Sequence, residues 1–209
     1  MSRIEDRWLL PIEGLVSGFL SCLSLALPFG HGIALFLFPG LLFGMVISAH
    51  VGLMRAERSV FRLVGFVLTC TAAYTASVLI TIWGPFRPRF LNLSGTSSGA
   101  IDSSPFLTGG FLGAAIVCAG FHFFLAPSKN WPLFALKALG ISAACGFLGV
   151  FGWAVGEQFV IARWPPGTGS SLNFYTLYVV WQTGAAALLG LLLSPREMPV
   201  ATPLGVRPA

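Results

Sequence analysis

The sequence predicts an all-α, polytopic membrane protein: a bundle of about six transmembrane helices with both termini in the cytoplasm. Of its 209 residues, 56% are hydrophobic and 9% are charged, whereas a soluble domain carries about 25% charged residues. The mean hydropathy is +0.84, and the apolar residues are gathered into runs of the length that crosses a bilayer. The basic residues lie mostly on one side of the predicted path.

Six apolar runs define the predicted spans. A helix of about 20 apolar residues crosses the hydrocarbon core and satisfies its backbone groups without water. The runs of this length are 8–27, 33–54, 60–83, 106–126, 132–155 and 172–193. They predict one transmembrane domain over 1–193. The four prolines that follow Ser194 predict a flexible cytoplasmic tail over 194–209.

The distribution of Lys and Arg predicts the orientation, because cytoplasmic flanks retain positive charge. With the N-terminus inside, three of the 12 basic residues fall on outer flanks, namely Arg87, Arg89 and Arg163. The inner flanks hold the others: Arg3, Arg7, Arg55, Arg58, Arg62, Lys129, Lys137, Arg196 and Arg207. This asymmetry indicates an N-in, C-in protein of a bacterial-type cytoplasmic membrane.

The first span has an alternative interpretation as a cleavable signal peptide. Arg3 and Arg7 precede an apolar run that ends in the small-x-small pattern Ser24-Leu-Ala26. Acidic residues in the leader, and Glu13 within the run, are unusual for a signal and favour a retained span.

Four ionisable residues fall inside predicted spans, where an isolated charge costs at least about 2.5 kcal/mol. They are Glu13, His50, His122 and Lys137, and the predicted topology places all four in the cytoplasmic third. This common depth permits an ion pair between Glu13 and Lys137, or a haem or metal site formed by His50 and His122. The alternative is that Lys137 extends to the interface and the histidines bond to nearby backbone.

Two spans carry polar faces. In the third span, Cys70 is followed at helical spacing by Tyr74, Ser77 and Thr81. In the sixth span, Tyr175 is followed in the same way by Tyr178 and Gln182. We expect such faces to avoid lipid. They are candidates for lining a substrate path, although hydroxyl and amide side chains also join helices to one another.

Glycines at GxxxG spacing predict close helix packing. The pairs are Gly14/Gly18, Gly40/Gly44, Gly109/Gly113 and Gly152/Gly156. They favour packing within one bundle, and they also permit a homo-oligomer or a membrane-protein partner. The bilayer is the predicted partner, and the scattered basic residues do not indicate nucleic acid.

No motif indicates a catalytic residue, a cofactor or a metal site. Gly95-Thr-Ser-Ser-Gly99 matches the nucleophile-elbow pattern, but it lies in a Ser- and Gly-rich stretch without a preceding strand. Cys22, Cys70, Cys118 and Cys145 lie inside apolar runs, without CxxC spacing.

The polar faces favour a small-molecule or ion transport component over an enzyme. The alternatives are a membrane redox or metal-binding subunit that uses the inner-face histidines, and a non-catalytic membrane scaffold subunit.

Overall fold

The computed structural model describes residues 5–26, 33–55, 59–83, 104–156, 158 and 169–192. They form six helices: α1 Glu5–Ala26, α2 Ile33–Arg55, α3 Val60–Trp83, α4 Ser104–Gly120, α5 Trp131–Val155 and α6 Gly169–Leu189. These residues contain no strand. The predicted all-α fold of six helices is confirmed.

The helices close into a ring. Each helix packs against its neighbour along the chain, and α1 also packs extensively against α6. The interior is filled mainly by aromatic and aliphatic side chains such as Phe43, Phe66 and Phe121. Phe66 of α3 meets Phe121 edge-on, with their ring centroids 5.9 Å apart. The ring order determines which polar residues can meet, because α1 has α2 on one side and α6 on the other.

Glycines bring neighbouring backbones together around the ring. A Cβ at Gly40 of α2 would lie 2.6 Å from the carbonyl oxygen of Cys70 in α3, and a Cβ at Gly110 of α4 would lie 2.6 Å from that of Cys145 in α5. Gly14 and Gly18 of α1 have the same relation to α6. Three of the predicted GxxxG pairs, Gly14/Gly18, Gly40/Gly44 and Gly109/Gly113, therefore contact neighbouring helices of the same chain.

Large apolar side chains lie on the surface of the bundle, and several polar side chains lie in its interior. Phe61, Phe123, Leu136 and Phe147 are each about two thirds or more exposed, whereas buried positions include serines, histidines and Gln182. Three described helical segments, Val60–Thr81, Pro105–Leu125 and Trp131–Val155, are long and apolar enough to cross a membrane. Leu9–Ser24 and Phe36–Gly52 are shorter apolar helical segments.

The α4–α5 connection positions His122. After Gly120 the helix widens into a π-helical turn over Phe121–Leu125, which closes when the Ala126 N–H donates to the Phe121 carbonyl at 2.8 Å. The side chain of Asn130 then accepts from the Leu133 N–H at 3.2 Å and caps α5. The chain reverses between two helices within a few residues.

Candidate functional site

A polar stripe on α1 faces the interior of the ring. Glu13, Ser17 and Ser21 are four residues apart, so they lie on one face of the helix. Ser17 and Ser21 are completely buried. Together with His50 of α2 and Gln182 of α6, they form what we call the interior polar cluster.

The ionisable part of the cluster is a contact between Glu13 and His50. The imidazole Nδ1 lies 2.5 Å from the carboxylate Oε1. The His50 side chain is 4% exposed and that of Glu13 is 24% exposed. The second carboxylate oxygen of Glu13 is buried and makes no hydrogen bond within the described part of the chain. The Glu13 side chain is thus partly exposed, whereas its free carboxylate oxygen and the His50 side chain are enclosed.

The uncharged part of the cluster is centred on Gln182, which is 1% exposed. Its Oε1 accepts a hydrogen bond from the Ser17 hydroxyl at 2.5 Å. Its amide nitrogen donates to the Ser21 hydroxyl at 3.0 Å and to the carbonyl of Pro39 at 3.4 Å. Gln182 therefore joins α6 to both α1 and α2.

Two tyrosines lie in the interior between α3 and α6. The rings of Tyr74 and Tyr178 meet edge-on, with centroids 5.7 Å apart. On α1, the Cys22 thiol donates to the carbonyl of Tyr175 at 3.6 Å. The structure therefore brings together one residue from each of the two predicted polar faces.

The rest of the predicted α3 face points elsewhere. The Ser77 hydroxyl donates to the carbonyl of Ala73 at 2.8 Å, and the Thr81 hydroxyl donates to that of Ser77 at 2.8 Å. A Cβ at Gly109 or Gly113 of α4 would collide with these two hydroxyl groups. Ser77 and Thr81 thus lie at the α3–α4 contact, where their described contacts are those of helix packing.

The two histidines have separate surroundings. The Nδ1 of His122 accepts from the Ser128 N–H at 3.1 Å, and its ring packs against Phe134 and Trp131 with centroid distances of 4.4 and 5.0 Å. His50 instead contacts Glu13. The structure assigns His122 a role in closing the α4–α5 connection, and the shared ligand site stays a prediction.

Lys137 lies on the exposed surface of α5. Its helix packs against α4 and α6, whereas α1 packs against α2 and α6. Glu13 thus has His50 as its partner in the structure.

Sequence reasoning missed Ser17, Ser21 and the carbonyl of Pro39. The signal for the serines was present, since they continue the face of Glu13 at four-residue spacing. The Pro39 carbonyl carried no signal, because any backbone has such an acceptor.

The cluster offers two kinds of chemistry. A carboxylate beside an imidazole can hold and release a proton. The hydroxyl, amide and carbonyl groups can bind a polar solute or a cation. In the part of the chain that the structure describes, no three His, Cys, Asp or Glu side chains come together as metal ligands.

Several predicted features lie outside the described residues. They are the Gly95–Gly99 pattern, the outer-loop charges Arg87, Arg89 and Arg163, and the tail over 194–209.

Comparison with family models, with curated proteins and with solved structures finds no match for this chain. Its function is therefore inferred from the interior polar cluster.

Proposed function

We propose that this protein is a multi-pass transport component of a bacterial-type cytoplasmic membrane, which moves a small polar molecule or ion along the interior of its helix ring. The observation that carries this proposal is the interior polar cluster. It joins Glu13, His50 and Gln182 inside a bundle whose outer surface is apolar.

The apolar exterior supports insertion in a membrane. Soluble monomers rarely expose apolar patches larger than a few hundred Å², and here large side chains such as Phe61, Leu136 and Phe147 are exposed on different helices. In lipid the same side chains lie in a favourable solvent. Helices satisfy their backbone groups internally, which allows them to lie in lipid.

The composition of the cluster favours a path over simple helix packing. Hydroxyl groups are sufficient to hold transmembrane helices together, as Thr81 illustrates at the α3–α4 contact, where it donates to the Pro105 carbonyl at 3.3 Å. An ionisable pair is costly in a membrane and commonly marks an ion or substrate route. Helix packing alone therefore does not explain why Glu13 and His50 are in contact inside the bundle.

Two further features support a binding role. The Oε2 of Glu13 and the hydroxyl of Thr183 are both buried without a hydrogen bond to described residues, and both lie on the facing helices α1 and α6. Pro11 lies within α1 and Pro39 lies within α2, where each lacks a backbone donor and leaves a carbonyl of the preceding turn without its helical partner.

The test is solute uptake by purified protein reconstituted in liposomes. Small molecules that accompany the protein through purification in mild detergent are identified by mass spectrometry and offered together with a panel of amino acids, sugars and inorganic ions. We expect uptake of at least one of these by the parent. We expect the double variant Tyr74→Phe/Gln182→Leu to lower it about tenfold or more, which corresponds to about 1.4 kcal/mol.

Matched serine variants separate a path from general packing. Ser17 and Ser142 are both buried, but Ser142 donates to the Ala138 carbonyl of its own helix at 2.7 Å and lies outside the cluster. Ser17→Ala should lower uptake and Ser142→Ala should not. Equal uptake by the parent, the double variant and both serine variants would refute the proposal.

A further inference from the structure

The Glu13–His50 contact is unlike the other polar contacts of the bundle, because both partners can change charge. Around it, the described side chains supply few other groups that can do so. On the helices packed against α1 and α2 these groups are uncharged phenols and thiols and one exposed guanidinium, namely Cys22, Cys70, Tyr74, Tyr175, Tyr178 and Arg62. Among the side chains that the structure describes on α1, α2 and these helices, the pair thus contributes the ionisable carboxylate and imidazole.

A proton changes the net charge of the pair. With an ionised carboxylate and a neutral imidazole the pair carries one negative charge, and the buried Oε2 of Glu13 has no hydrogen bond to offset it. One added proton makes the pair neutral overall. A net charge is costly in a low-dielectric interior.

The position of the pair gives it a connection to the binding groups. The Glu13 side chain is 24% exposed and the His50 side chain is 4% exposed, so Glu13 lies nearer the surface of the bundle. Ser17, which donates to Gln182, lies one helical turn along α1 from Glu13. A movement of α1 relative to α2 would therefore act on both parts of the interior polar cluster.

We propose that Glu13 and His50 form the binding site for a proton whose movement is coupled to transport through the interior polar cluster. This inference rests on the proposed transport function. The pair takes a proton from water at one membrane face and returns it to water at the other, with no other bond formed or broken.

The test uses the proton itself as the probe. Proteoliposomes are adsorbed on a supported membrane electrode and exposed to a step from neutral to acidic pH. Proton binding inside the membrane gives a transient charge movement. We expect this signal in the parent, its loss in Glu13→Gln and a clear reduction in His50→Gln.

The variants are chosen to preserve the fold. Gln has the shape of Glu and can still bond to the His50 imidazole, and size-exclusion chromatography checks each variant. Lys137→Gln is the matched control, because it also removes one charge but from an exposed site on α5; it should keep the signal. A signal in Glu13→Gln equal to that of the parent would overturn the proposal. So would a signal that follows a step in Na⁺ and not in pH.

The two proposals fail in different ways. A parent that takes up solute, but neither shows the pH-step signal nor responds to a pH gradient, refutes proton coupling and leaves transport standing. A parent with the pH-step signal and no uptake of any solute refutes the transport function, and the coupling that rests on it.

Discussion

Gln182 shows how a single residue can organise the interior of a helix bundle. Its carbonyl accepts from Ser17, while its amide nitrogen donates to Ser21 and to the carbonyl of Pro39. A buried amide that left these groups unpaired would cost about 1 to 3 kcal/mol for each lost partner. Because its amide oxygen and nitrogen are paired within the protein, the Gln182 side chain can be buried without a bound water.

Two variants of His122 test a single hydrogen bond, the one that its Nδ1 accepts from the Ser128 N–H. Asn places its side-chain oxygen near the position of Nδ1 and can accept from the Ser128 N–H, whereas the longer Gln side chain places its amide near Nε2. Both variants lose the contacts with Phe134 and Trp131. We expect His122→Gln to lower the free energy of unfolding by about 1 kcal/mol more than His122→Asn.

Unfolding by a denaturing detergent in mixed micelles measures this difference. Equal stability of the two variants would show that the 3.1 Å contact between Ser128 N and His122 Nδ1 contributes nothing to the α4–α5 connection.

The sequence singled out polar residues but not the residues that they contact. Composition and helical spacing were sufficient to single out Glu13, His50, Tyr74 and Gln182. The partners depend on which helices are adjacent, and apolar runs do not encode that order. Glu13 and Lys137 have similar predicted depths, but α1 lies between α2 and α6, so His50 is the neighbour.

At the scale of helices, the sequence predicted the elements because each apolar run is long and ends at turn-forming residues. The structure has helices at all six predicted runs. Periodicity was less informative for α4 and α5, where apolar residues surround the helix and no single face stands out. In such helices the small residues reveal the contacts, since they mark where a neighbouring backbone comes close.

Gly110 and Gly140 form a matched pair that tests whether small residues mark the contacts between helices. A Cβ at Gly110 would lie 2.6 Å from the carbonyl oxygen of Cys145, whereas a Cβ at Gly140 would meet no atom within 4 Å. We expect Gly110→Ala to destabilise the bundle by about 1 to 3 kcal/mol through overpacking. Gly140→Ala should be neutral or stabilising by up to about 1 kcal/mol, because Ala favours the helix.

Thermal unfolding in detergent compares the two alanine variants with the parent. If Gly110→Ala were as stable as Gly140→Ala, the close approach of α4 and α5 would not be a feature of the folded protein.

At the scale of the whole molecule, the closed ring encloses the interior polar cluster within a core that is otherwise mainly apolar. The ring places α1 beside α6, so the first and last helices meet at the interior polar cluster. Gln182 lies 165 residues from Ser17 along the chain. The site therefore forms only when the ends of the bundle come together, and a chain that lacks α6 should lose the contacts of Ser17 and Ser21 with Gln182.

If the proposed proton coupling holds, the orientation in the membrane decides which side supplies protons to Glu13 and His50. Basic residues predict that 56–58 and the chain after Ser194 lie in the cytoplasm and that 84–103 lies outside. Reporters that are active on one side only, fused at Arg58, at Asn92 and after Ser194, measure this. We expect the first and third fusions to report the cytoplasm and the second to report the outside.

Because His50 lies near the inner end of α2, that result would place the proton site closer to the cytoplasmic face. If the Arg58 and Ser194 fusions reported opposite sides, an even number of crossings between them would be excluded, and the six-span arrangement would be wrong.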